Sequence, residues 1–342
     1  MLDVRRLRLL RDLARLGTIA AVAQAHAYSP SAVSQQLAAL QREAGVPLLE
    51  RTGRGVALTP AGAALVGHTE TVLAALEAAS ATLAATRTGL SGTVRIGAFP
   101  TAVRTVLPAA LVALGRDHPG LDLMVTELDP AAAPEALRER RLDVALLQDY
   151  DLAPVEPDPS LDSTPLLEET VFLAVPDTAQ GAPPTDPEGT APVHAEGAAP
   201  ADSEGAAPVH AAPAGPGGAA PVDPVGGFRD ADWIVASPGT LCHAVAWRAC
   251  QAAGFTPRVR HHVDDFTAVL ALVAAGQGVA LVPRLGAGRP PGGVRLLPLP
   301  VRRRTRVAYR RGAGEHPAVA ACVRAIRAAT EDHLADPRSP GD

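Results

Sequence analysis

The sequence predicts an α/β protein in two parts. A small basic helical module ending in a hairpin is joined by a long helix to a larger body of alternating strands and helices. Three observations carry this expectation. Residues 1–58 hold eight arginines against four acids, a local charge of +4, whereas the whole chain of 342 residues carries −5, so the charge is divided along the chain rather than averaged over it. Within the basic part, the stretch YSPSAVSQQL (28–37) is polar where its surroundings are Ala, Leu and Val. From Thr93 onward, apolar runs of strand length alternate with helical patterns, the texture of a parallel sheet flanked by helices. At 342 residues two or three domains are expected. Hydrophobic residues make up 47% but aromatics only 3%, so the cores must rely on Ala, Val and Leu. Lysine is absent and arginine supplies every full positive charge, a composition associated with GC-rich bacterial genomes.

Taken in order, residues 4–16 place Leu7, Leu10, Leu13 and Leu16 on one face among arginines, which predicts an amphipathic helix ended by Gly17. Thr18 can cap a second helix, TIAAVAQAHA, which breaks at Tyr28. Ser29 is a good N-cap and Pro30 suits the first helical position, where its missing N–H costs nothing. The third helix then runs to about Ala44, with Gly45 as its stop. Val33, Leu37 and Leu40 face inward at helical spacing, leaving Ser31, Ser34, Gln35 and Gln36 outside. In LLERTGRGVALTPAG, short apolar pieces flank TGRG, which predicts a small hairpin carrying Arg51 and Arg54. Thr59–Pro60 repeats the cap-then-proline pattern before a helix from about 60 to 87. There Leu65, Thr69, Val72, Leu76, Ala79 and Leu83 recur at alternating steps of four and three, a heptad seam. A second copy of the chain is its simplest partner.

In the body, TVRIGAF, LDLMVTEL and VALLQDY read as strands separated by the helices LPAALVALGRDHPG and PEALRERRLD. The pattern resumes with TVFLAVP, DWIVAS, a helix from GTLCHAVAWRACQAAG, then RVRHHVDD, FTAVLALVAAGQG and VALVP. TRVAYRR gives a last strand and 317–334 a closing helix. Between about 178 and 227, near-repeats of Ala, Pro and Gly with six acids and no arginine predict a disordered insertion.

A basic first helix, a capped second helix and a third helix with a short polar outer face form a helix-turn-helix. The two-arginine hairpin serves as its wing. Serine and glutamine both donate to and accept from base edges in a major groove, while Arg51 and Arg54 are placed for phosphates or the minor groove. Thr18, Ser29, Pro30, Ser31, Ser34, Gln35 and Gln36 are therefore the expected DNA-facing set, with those two arginines.

The run GTIAAVAQAHAYSPSAVSQQLAALQREAGVPLLERTGRGVALTPAG resembles the DNA-binding signature of the LysR-type transcriptional regulators. Ala23, Ser29, Ala32, Ser34, Leu48, Glu50, Arg51, Thr59 and Gly62 fall where that pattern puts such residues. Ile19 replaces a usual aromatic, Pro30–Ser31 replaces the commoner Gln–Pro order, and Gln35 stands where arginine is frequent. The likeness extends along nearly the whole chain apart from 178–227. It implies a winged helix-turn-helix (1–58), a dimerising linker helix (59–90) and a two-lobed effector domain of type 2 periplasmic-binding-protein form. Lobe I would be 92–150 with 303–335, and lobe II 151–302. It further implies a homodimer or tetramer on double-stranded promoter DNA, a small-molecule effector between the lobes, and RNA polymerase as a candidate partner.

Two strand-to-helix corners point to the effector. IGAFPTAV puts Pro100 and Thr101, with the surrounding backbone N–H groups, at a helix start suited to an anion or carboxylate. SPGTLCH repeats the arrangement with Ser237, Gly239 and Thr240. In the resembling family these corners face each other across the cleft. Gln148 lies near the first crossover; Asp265 either faces the cleft or caps the helix that follows. Cys242, in the first turn of a helix, and Cys250, two turns on, would need that helix to unwind before forming a disulfide. His261–His262 lacks a metal-ligand pattern, and no metal or cofactor is expected. The start MLDVRRLRLL has no signal-peptide run and no window approaches a spanning helix, so the expected setting is cytoplasmic, at the nucleoid, without a membrane. Two rivals share the lobed body: a solute-binding protein, which needs an export signal and no helix-turn-helix, and a metabolic enzyme. The chain has no GxSxG elbow, P-loop or GxGxxG after a strand on which to build the latter.

Overall fold

Thr18, Ser29 and Thr59 each accept a backbone N–H three residues ahead, from Ala21, Ala32 and Gly62 at 3.1 Å in every case. These three caps fix where the helices of the N-terminal module begin. The computed structural model describes residues 1–53, 55–177 and 224–335. Helix α1 (Val4–Leu16) is capped by Asp3, and α2 (Ile19–Ala25) and α3 (Pro30–Ala44) follow. Gly17 and Gly45 close α1 and α3 in the left-handed region (φ 75° and 72°), which a side chain would resist. Leu10, Val22, Val33, Leu37 and Leu40 meet in one core, all at most 2% exposed. The hairpin of β1 (Leu49–Thr52) and β2 (Gly55–Leu58) is pinned to α3 by Gln41, whose Oε1 accepts from Leu48 and Leu49 N.

Helix α4 (Pro60–Ala85) divides its expected seam in two. Leu65 packs against the head's core, and Thr69 is fully buried with its hydroxyl donating to Leu65 O. Val72, Leu76, Ala79 and Leu83 are exposed. The seam assignment of Leu65 and Thr69 is thus corrected: α1 and the chain's own body already cover the first turns of α4.

The body begins with β3 (Gly92–Ala98), α5 (Pro100–Thr105), α6 (Leu107–Asp117), β4 (Leu121–Glu127), α7 (Ala133–Arg138) and β5 (Val144–Tyr150). The long β6 (Leu161–Pro176) leads to the second lobe, made of β7 (Asp232–Val235), α8 (Leu241–Ala252), β8 (Arg258–His262), α9 (Phe266–Ala274), β9 (Ala280–Pro283) and the short α10 (Arg284–Ala287). Strand β10 (Val294–Arg310) returns, and α11 (Pro317–Ala335) closes the described chain. The six-stranded sheet has the order β4-β3-β5-β10-β6-β9, and β7 pairs with β8 apart.

The expectation of a parallel sheet holds for β3 with β4 and β5, and for β7 with β8; β10 and β6 run antiparallel to their neighbours. The reason is topological: β10 re-enters lobe I from the other lobe rather than through a right-handed crossover. Helices do lie on both faces. Val144, Leu146 and Val307 face α6 and α11, while Ala145 and Ala308 face α7, the alternation of a doubly covered strand.

The lobe boundary at 151 is also corrected. Leu161–Glu169 pairs with Arg303–Arg310 inside lobe I, and Val171–Pro176 pairs with β9 and Val294–Pro298 in lobe II. The crossing therefore sits within β6 and β10, beside the register shift between Pro298 and Arg302. Of the expected insertion, residues 178–223 lie outside the described residues. Its last part is not insertion at all, because Val225 is 5% exposed and packs with Phe228 into the lobe II core.

Candidate functional site

On the head, α3 turns its apolar positions inward, so its polar ones are outside by default. Ser31, Ser34, Gln35 and Gln36 are all exposed, as are Thr18, Ser29, Pro30 and Arg51. Their hydrogen bonds separate them. Thr18 and Ser29 are caps, and Ser29 Oγ also meets Ser31 Oγ at 2.9 Å. Ser34 Oγ donates to Pro30 O at 2.9 Å, leaving its oxygen lone pairs outward. Gln35 has no hydrogen-bond partner among the described residues. Gln36 is shared: its Oε1 accepts from Arg6 Nε at 2.9 Å, and Arg6 pairs with Glu43, so this exposed amide also ties α1 to α3. Ser34 and Arg51 line a shared groove between α3 and the hairpin. Arg54 lies outside the described residues. Tyr28, 51% exposed and stacked on His26 just before α3, is a neighbour that the sequence pattern treated only as a helix break.

In the body, a cavity of about 220 Å³ lies between the lobes. From lobe I it is lined by Phe99, Pro100, Thr101, Gln148 and Arg303, and from lobe II by Thr240, Cys242, Asp264 and Phe266. Four expected residues are thus brought together: Pro100, Thr101, Gln148 and Thr240. Three are not. Ser237 gives both its N and its Oγ to Asp264 (2.8 and 2.7 Å), and Gly239 turns away at φ 90°. Asp265 resolves to the capping alternative, accepting from Ala268 N at 3.0 Å, and it also meets Arg104 Nη1 at 2.9 Å. That ion pair joins α5 of lobe I to α9 of lobe II.

The floor of the cavity is a buried charge pair that sequence reasoning missed. Arg303 is 1% exposed, and its Nε donates to Glu169 Oε1 at 2.7 Å while Leu285 N donates to Glu169 Oε2 at 2.5 Å. Arg303 Nη2 lies 2.6 Å from the same Oε1 but is not aimed at it, so this donor is left without a hydrogen bond. Burial opposes the charge on Arg303, yet Glu169 beside it holds the guanidinium protonated above its ordinary range. The guanidinium also lies over Phe99, 5.3 Å from the ring centre. A signal was there to be read: the period of two that buries Val301, Thr305 and Val307 puts Arg303 on the same face.

Gln148, 6% exposed, is the other unusual group, for its Nε2 is buried without a partner. The free charges on the walls are acidic: Glu127, Asp129 and Asp264 line the cavity with a single guanidinium, already neutralised. Helix α5 has six residues, so its dipole is short, and no side chain caps its first N–H groups. Cys242 Sγ is 3.6 Å from Tyr150 Oη, and burial pushes its pKa up. Cys250 is fully buried, two turns along α8, about 12 Å by helix rise, too far for a disulfide. Among the described residues no cluster of His, Cys, Asp and Glu is placed to hold a metal, and no helix is long and apolar enough to cross a membrane.

A family model described as the LysR substrate binding domain matches residues 87–191 and 209–331. A second, the bacterial regulatory helix-turn-helix protein of the lysR family, matches residues 4–63. A probable hydrogen peroxide-inducible genes activator of Mycobacterium xenopi is 36% identical over 170 residues, 50% of this chain and 87% of that protein. The transcriptional dual regulator GltC of Bacillus subtilis (strain 168) is 27% identical over 284 residues, covering 82% of this chain and 81% of that one. In fold, the chain is similar to an OxyR mutant of Corynebacterium glutamicum, with a TM-score of 0.53 at 21% identity over 98% of this chain and 94% of the other.

Proposed function

The chain belongs to the LysR family of DNA-binding transcriptional regulators, and from that premise we propose how its two sites divide the work. Regulators of this family bind promoter DNA and form oligomers, and the relatives are regulators rather than enzymes. In this chain, Ser31, Ser34 and Gln35 read base edges from α3, with Arg51 on the adjacent phosphates. The exposed stripe Val72, Leu76, Ala79 and Leu83 of α4 pairs with a second copy and doubles the reading surface. A reader of promoter DNA works where the chromosome is, at the cytoplasmic nucleoid.

The inter-lobe cavity binds a small effector. The observation that carries this reading is the amide of Gln148, buried at the lobe junction with a donor that nothing accepts. A buried donor is costly without an acceptor, and a ligand oxygen at hydrogen-bond distance would offset that cost. The acidic walls turn the expectation of an anionic effector towards an amine-bearing or zwitterionic one, with an acceptor for Gln148 and a cationic group near Asp129 and Glu127. Binding alters the angle between the lobes, strains or relieves the Arg104–Asp265 pair, and so changes how the paired heads meet DNA. Peroxide induction belongs to the mycobacterial relative's name; in this chain burial raises the pKa of the Cys242 thiol, the opposite of what activates a cysteine.

The test is calorimetry with a panel of amino acids, polyamines and dicarboxylates, followed by fluorescence anisotropy on the DNA upstream of its own gene. An amine-bearing hit whose binding is lost in Gln148→Leu and which shifts DNA affinity sustains the reading. Dicarboxylates binding best would overturn the assigned class. On DNA, Ser34→Ala with Gln35→Ala should abolish preference for the operator while folding and dimerisation persist. Equal protection of the same site by that double variant would remove α3 from its role.

A further inference from the structure

A second polar cavity, of about 40 Å³, lies where the head, α4 and lobe I meet. Its lining includes Arg8 and Arg11 from α1, Arg138 and Arg140 beside α7, and Arg310 and Arg311 at the end of β10, against only Glu70 and Glu77 from α4. Five of the six guanidiniums have carboxylate partners. Arg138 pairs with Asp158 and Arg140 with Glu77, Arg310 meets Asp143 at 3.3 Å, Arg11 meets Asp12 at 2.9 Å, and Arg311 lies 3.7 Å from Asp162. Arg11 also lies 3.8 Å from Glu70 and Arg310 lies 3.4 Å from Glu77, so those five charges are matched, and Arg8 is the lining guanidinium without a carboxylate within ion-pair distance among the described residues. Burial, then the charges of Arg140 and Arg11, lower its pKa, with Glu77 and Asp12 near enough to oppose them in part. Arg138, whose side chain is only 9% exposed, has a buried Nε with no acceptor among the described residues, whereas Arg310 is engaged by Glu77 and by the Leu137 and Leu142 carbonyls.

An arginine with no carboxylate of its own, beside a buried Arg138 Nε with no acceptor, is an arrangement that an anion's oxygens would complete. The volume admits a few waters or one small ion. We propose that this junction is a binding site for a tetrahedral oxyanion of the phosphate or sulfate type, held by Arg8, Arg138 and Arg140. The anion bridges α1 of the head to lobe I across α4. That helix is itself seated tightly on the body, because a Cβ at Gly312 would strike the backbone carbonyl of Ala74. Occupancy therefore fixes the head relative to the effector domain, independently of the inter-lobe cleft.

The test is thermal unfolding of the full chain titrated with inorganic phosphate or sulfate, against chloride at matched ionic strength. Phosphate at ten times its Kd should raise Tm by about 3 °C and saturate. Arg8→Gln should unfold close to the parent without phosphate, since it removes the repulsion from Arg140 and Arg11 together with the attraction of Glu77 and Asp12, and should show no phosphate-dependent rise. A full rise in Arg8→Gln, or equal shifts with chloride, would overturn the site. Adenosine monophosphate distinguishes free from esterified phosphate: a weaker response than inorganic phosphate supports the small-ion assignment, and tighter binding overturns it.

Discussion

On α3 the serines are satisfied within their own helix. Ser29 caps Ala32, Ser34 donates to Pro30, and the face stays wet. Between the lobes the pattern reverses, with Arg303, Glu169 and Gln148 nearly solvent-free and donors on Arg303 and Gln148 left open. The contrast teaches how each surface meets its partner. The head presents a prepared, low-strain surface to a polyanion that supplies most of the affinity through its phosphates. The cleft holds its polar groups out of water at a cost, which a small ligand can offset only by fitting closely.

Breaking the buried side of this contrast should have the largest effect. Glu169→Ala leaves Arg303 charged and alone and orphans Leu285 N, so stability should fall by about 3–5 kcal/mol, read by denaturant unfolding of the full chain. On the exposed side, Gln35→Ala should leave stability unchanged while discrimination between operator and random duplex drops by about 1–3 kcal/mol, roughly ten-fold or more; anisotropy against both duplexes measures it. Ser29→Ala removes a cap rather than a base contact. It should cost about 1 kcal/mol of stability, visible as a lower unfolding midpoint, with base preference retained. Arg104→Ala should have the smallest effect, because its partner Asp265 is 43% exposed and such surface pairs are worth about 0–1 kcal/mol. Its signature is a shift in effector affinity with no change in DNA affinity when effector is absent.

The same contrast explains what could be read in advance. Every element of the head lies within 60 residues, and its caps, prolines and apolar spacing are local signals, so α1, α2, α3, the hairpin and the start of α4 are legible from residue order alone. Even there, nothing in the spacing of α3 announces that Arg6 of α1 reaches across to Gln36. The cleft draws on residues from Phe99 to Arg303, and their convergence depends on the sheet. Thr101 and Thr240 were found because a strand-to-helix corner marks them. Asp264 was passed over for Asp265 because a capping position and a cleft position one residue apart look alike. Arg303 sits in the run RRR, which reads as surface charge unless the strand's alternation is followed through it.

Strands β6 and β10 pass unbroken from one lobe into the other, paired on both sides of an irregular patch at Pro298–Arg302. The lobes are therefore joined as a continuous ribbon is joined to itself, not as beads on a string. Any opening has to bend or twist hydrogen-bonded backbone, so its restoring force grows with angle. Small changes of angle between the lobes therefore cost little, and large ones progressively more.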